Sequence, residues 1–231
     1  MPVDRRRFLL SGTAAGALAV VGGAGLSGHA AAATARPANA PAAREPVVVG
    51  ANPGLVLYDG DRLTAYASVW QVDWSPYGAG NVLVLWHRDQ VHLYGSDPRL
   101  ALWLERDFVR HFPEAEGLLW PAPVVHRVPV RVRVDLAHGL RADAADVRVA
   151  MGDVLGRRAF ATDAFPLGGG LEHSLSLVLG PCGHGSVRVG GRAVAGLPRV
   201  GGTAARPTST AYLAVAEVWQ RPVGAASLAA G

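Results

Sequence analysis

Asn81-Val82-Leu83-Val84-Leu85-Trp86-His87-Arg88-Asp89-Gln90-Val91-His92-Leu93-Tyr94 is the stretch that decides the fold class. Two apolar, β-branched-rich runs flank a polar pair, the pattern of two antiparallel strands and a tight turn. An even-length loop centred on Arg88-Asp89 sets Trp86 opposite Val91. Val82, Val84, Trp86, Val91 and Leu93 then share one face, and Leu83, Leu85, His87, His92 and Tyr94 share the other. The Trp86 face is the more apolar, so a packed helix is expected there, with the histidine face partly wet.

Similar runs precede the hairpin at residues 47–49, 55–58 and 63–72, separated by Asn-Pro-Gly, Asp-Gly-Asp and Ser-Pro-Tyr-Gly turn signals. Directly after it, Asp97-Pro98 offers an N-cap and an N1 proline, and Pro113 a stop, which predicts one helix over 98–112. At 100° per residue Leu100, Leu104, Phe108 and Phe112 form its apolar face, with Arg99, Arg106 and Arg110 opposite. Beyond Pro121-Ala122-Pro123 the pattern is all strand. Val128, Val130, Val132 and Val134 alternate with Pro129, Arg131, Arg133 and Asp135, and further runs lie at 147–151, 158–162, 171–179, 186–189 and 209–219. Residues 191–207 read as a long Gly/Pro/Arg loop. The expected class is mainly β: a β-meander plus one long helix over 46–122 (α+β in character), then a β-sandwich-like unit over 123–222. A disordered tail is expected over 223–231.

Residues 1–45 stand apart from this pattern. Asp4-Arg5-Arg6-Arg7-Phe8-Leu9-Leu10 resembles the twin-arginine export motif, with Arg5 and Arg6 as its pair. An Ala/Gly-rich apolar stretch and small-x-small cleavage sites at Ala31-Ala32-Ala33 and Ala33-Thr34-Ala35 follow. The resemblance implies a signal peptide over 1–33, recognition of Arg5 and Arg6 by the export machinery, and a secreted, extracellular protein. Residues 34–45 read as a flexible linker. No second apolar run approaches the roughly 18 residues of a span, so no permanent membrane anchor is expected.

Charge narrows the partners further. All 22 cationic residues among the 231 are arginines, and cleavage after Ala33 leaves 19 of them against 17 acidic residues, a net charge of +2. No dense basic run interleaved with aromatics remains, which argues against nucleic acid. The missing lysine and the leader together resemble an actinobacterial-type secreted protein. Cys182 is the one cysteine, so no intrachain disulfide can form; following Pro181, it is expected in a turn as an inert thiol.

Motifs exclude more than they assign. Gly23-Ala24-Gly25-Leu26-Ser27-Gly28 fits a dinucleotide fingerprint but lies inside the leader, outside any strand–turn–helix context. Gly183-His184-Gly185-Ser186-Val187-Arg188 resembles the nucleophile segment of L,D-transpeptidases over six residues, with Ser186 where that chemistry needs a cysteine thiolate. No GxSxG, HExxH, calcium loop or phosphate loop occurs in the mature chain, so neither a cofactor nor a metal is implied.

Three constellations remain. His87 and His92 are diagonal neighbours on one hairpin face, which supplies two groups of an acid/base or metal site or simply two edge histidines. Asp107 and His111 stand at i and i+4 on the predicted helix, where a carboxylate can fix a histidine's tautomer or form an ordinary ion pair. Tyr66, Trp70 and Trp74 share strand parity, so their rings would either fill the core or recur along a face on which sugars stack. These features point to a secreted, non-catalytic binding module for a glycan or another cell-wall-associated ligand through Tyr66, Trp70 and Trp74. The alternative is a small extracellular hydrolase or isomerase using His87, His92, Asp107 and His111.

Overall fold

A computed structural model describes residues 45–166 and 172–220. The leader 1–33, all of the linker but Glu45, Leu171 and the tail 223–231 lie outside the described residues. The protein is mainly β. Its strands are β1 (Pro46–Ala51), β2 (Gly54–Asp59), β3 (Arg62–Trp74), β4 (Gly80–His87), β5 (Gln90–Gly95), β6 (Val124–Arg127), β7 (Val130–Asp135), β8 (Gly139–Ala144), β9 (Val147–Val154), β10 (Arg158–Pro166), β11 (Glu172–Val189), β12 (Arg192–Ala193), β13 (Val200–Thr203), β14 (Arg206–Ser209) and β15 (Ala211–Gln220). One α-helix, α1, spans Pro98–Asp107, and two 3-10 turns follow at Val109–His111 and Pro113–Ala115.

The decisive hairpin forms as its pattern predicts: Trp86 pairs with Val91 across an Arg88-Asp89 turn whose residues have φ of 52° and 57°. Two positive φ values make a tight turn that matches the strands' right-handed twist. Val82, Val84, Trp86, Val91 and Leu93 pack with Leu100, Leu104 and Phe108, so the helix does cover the Trp86 face. The opposite face corrects the expectation of a wet surface, because Leu83, Leu85 and Tyr94 are buried in a second core with Val130, Leu140, Ala142, Val149 and Val187.

That second core exists because the sheet turns back over itself at β11. The first half of this 18-residue strand pairs with β15 as far as Pro181, and from Cys182 onward it pairs with β9. Proline offers no N–H to a ladder, so the partner change falls where pairing must lapse. The second half carries β9, β8 and β7 across the faces of β2, β3 and β4. At the crossing a Cβ on Gly185 would strike the Leu55 side chain, which makes glycine the residue that lets the layers approach. Cys182 is therefore not in a turn. It lies in the strand, fully buried, where burial and the nearby Asp153 push its thiol up to about 11.

Two more departures have local causes. The helix stops at Asp107, short of residue 112: Phe108 leaves helical geometry at φ −124°, and a 3-10 turn follows. Phe108 and Val109, neighbours that an α-helix would point about 100° apart, both enter the core this way, 2% and 0% exposed. The supposed loop at 191–207 contains β12 and most of the β13–β14 hairpin, clipped to the sheet by Arg199, which bonds Gly60 O and Asp61 and lies 3.9 Å from the Tyr58 ring centroid.

Candidate functional site

Tyr66, Ser68, Trp70 and Val72 alternate inward along β3, toward the helical segment. Trp70 is 4% exposed and meets Phe108 edge-on at 5.5 Å and Phe112 stacked at 6.2 Å, with no hydrogen-bond partner for its Nε1 among the described residues. Tyr66 is 1% exposed, whereas Trp74, at the strand's end, is 44% exposed. Two of the three rings form core, and a ligand could reach only the third.

Buried polar groups fasten the helical segment over this face. The Glu105 carboxylate accepts from Arg110 Nε at 2.9 Å and Trp120 Nε1 at 2.7 Å, and Trp86 Nε1 donates to Leu119 O at 2.8 Å. Tyr212, whose ring fills the space a side chain on Gly54 would need, donates to Glu114 Oε1 at 3.0 Å. Burial holds the Glu114 carboxyl above its ordinary range.

The histidines separate. His87 Nδ1 lies 3.0 Å from Thr64 O and donates to it, and His92 sits on the same face. The helical segment, with Asp107 and His111, lies on the other side of that sheet. Asp107 is engaged by Arg106, at 2.7 and 3.0 Å. The four residues do not converge on one cavity. His92 instead meets His126, which sequence reading missed because it lies on the unpredicted strand β6. The parallel pairing of β5 with β6 sets Tyr94 beside His126, whose ring stacks on Tyr94 at 4.6 Å, and His92 Nδ1 comes within 3.1 Å of His126 Nε2. Burial is the main cause that lowers His92, followed by His126 and His87, while Asp146 acts against them; burial and Asp146 push Tyr94 up to about 12. Among the described residues no group of three or more His, Cys, Asp or Glu side chains could hold a metal ion.

A groove of about 530 Å³ lies elsewhere, lined by Ala161, Thr162, Asp163, Ser174, Ser176 and Trp219 among others. Its position follows from the strand alternation. Leu175, Leu177, Ala216 and Val218 turn toward the helix-side core, so the paired Ser174–Trp219 and Ser176–Glu217 face the other way. Nearer residue 211 that second face is covered, with Leu213 fully buried, but β11 leaves β15 at Pro181 and the covering layer leaves with it. Val215 is 40% exposed, Glu217 and Ser176 are exposed, and the groove occupies this uncovered end. Ser174 is only 4% exposed, and its Oγ has no hydrogen-bond partner among the described residues. A buried hydroxyl without a partner costs about 1–3 kcal/mol, and because the Oγ is enclosed a ligand resting in the groove does not reach it.

Comparison with protein-family models, curated proteins and solved structures found no match.

Proposed function

We propose that the protein is an exported binding module that holds a polyhydroxylated ligand, a wall-associated glycan, in the groove between β10, β11 and β15. The observation that carries this reading is Trp219: a half-buried indole on one wall of a groove whose neighbouring strand presents the exposed Ser176. A sugar has C–H-rich faces that stack on an indole and hydroxyls that need donors and acceptors. Trp219 supplies the first, and the exposed Ser176 and Asp163 supply the second. The twin-arginine-like leader supports the location, since that route delivers folded protein to the compartment where such ligands lie. No helix of the described residues is long and apolar enough to cross a membrane. The aromatic platform expected on β3 gives way in this reading to a single ring on β15.

The test uses the secreted chain beginning at Thr34 or Arg36 and a panel of soluble cell-wall oligosaccharides and insoluble wall polysaccharide, read by calorimetry and co-sedimentation. Trp219→Ala should weaken binding at least about tenfold, equivalent to about 1.4 kcal/mol. Ser176→Ala, at an exposed position, should weaken binding while changing stability by less than about 0.5 kcal/mol. Absence of binding across the panel, or binding indifferent to both changes, rejects the proposal.

A further inference from the structure

We propose that His92 and His126 form an acid-released latch that holds the edge strand β6 on the sheet near neutral pH. The strand needs one. It has four residues, pairs with β5 alone, and has Val124 and Val125 48% and 37% exposed, so little burial secures it. The two rings supply the missing hold: they lie 5.3 Å apart at 25°, both stack with Tyr94, and their facing nitrogens are 3.1 Å apart.

Two nitrogens at that distance must share one proton. A neutral pair does so, and so does a singly protonated pair, in which the imidazolium donates to the neutral ring. A doubly protonated pair cannot: both nitrogens become donors and two positive charges face each other in a half-buried site. The surroundings favour one charge over two. Asp146, in the turn between β8 and β9, offsets a single positive charge, whereas His87 on β4 would add a third, and Tyr94, stacked with both rings, stays protonated and neutral. Acid therefore pushes the rings apart, and β6 loses its side-chain attachment to β5.

Hydrogen exchange of the secreted chain tests this directly. Protection of residues 124–127, corrected for the intrinsic pH dependence of exchange, should fall at least about tenfold between pH 7.5 and pH 4.5, the equivalent of one pKa unit of coupling. In His126→Gln, which keeps a neutral donor and acceptor but cannot charge, the same comparison should change less than about twofold. Equal protection at both pH values in the wild type, or an undiminished acid loss in the variant, overturns the latch. If the variant does not fold, nitrogen-15 imidazole spectra of the wild type decide. Two titration steps separated by more than about one unit support the shared proton, and a single step at the ordinary histidine pKa refutes it.

Discussion

Trp70→Ala should cost about 3–5 kcal/mol of folding stability while leaving the proposed glycan binding by the folded fraction unchanged. A tryptophan side chain buries about 150–250 Å², worth about 4–6 kcal/mol at 25 cal/mol per Å², an upper bound because the unfolded chain already hides part of that area. Alanine retains one carbon of it and leaves a cavity between Phe108 and Phe112, whose rings lie 5.5 and 6.2 Å from the indole. Trp70→Phe provides the internal control. It keeps a ring between those partners and removes the Nε1–H that has no partner among the described residues, relieving about 1–3 kcal/mol of desolvation against a similar loss of packing. The net change expected for phenylalanine is therefore within about 1 kcal/mol. Urea unfolding followed by far-ultraviolet circular dichroism measures both without relying on the altered fluorophore. A loss below about 1 kcal/mol for Trp70→Ala, or equal losses for the two variants, would refute the assignment of Trp70 to the core.

Leu104→Ala should cost about 2–5 kcal/mol, because Leu104 is fully buried on the inner face of α1, whereas Arg106→Ala should cost less than about 0.5, its bond to Asp107 being largely in water. Chemical denaturation distinguishes them, and equal small effects would mean that the helix is not docked. Glu114 gives a pH signature. Its folded pKa lies above the ordinary 4.5, so the native state binds the proton more tightly than the unfolded chain, and stability declines as pH rises from about 4.5 through the folded pKa. Glu114→Gln should remove that decline and gain on the wild type across the same window; parallel stability–pH curves would contradict it.

Where the fold was legible in the sequence, neighbours in sequence supplied the constraint. Register at Trp86–Val91 follows from the parity of a short loop, and the docked face of α1 follows from 100° periodicity within ten residues. The helix end was missed because two adjacent large apolar residues, Phe108 and Val109, both find room in the core, and tertiary burial overrides the tidy helical stripe. Cys182 was misread for a related reason. Gly180, Pro181, Gly183 and Gly185 look like a turn when taken locally, yet in the folded chain proline marks the change of partner and Gly185 the close crossing over Leu55.

The site was harder to read because its groups come together only through pairing between distant strands. Ser174 and Ser176 alternate visibly with Leu175 and Leu177, which identifies a polar face, but nothing local tells that face from any wet strand surface. Its meaning comes from β15, which sets Trp219 opposite Ser174, and from β11's departure at Pro181, which leaves that end uncovered. The three aromatic residues on β3 had the opposite fate: strand parity held for Tyr66 and Trp70, which the helical segment covers as core, while a register shift between Val72 and Trp74 breaks the alternation before the third ring. An exposed aromatic is thus informative only when the covering layer is known. Here the strand that switches partners decides which aromatic remains open, so lengthening or shortening the covered part of β11 should move the boundary between core and groove along β15.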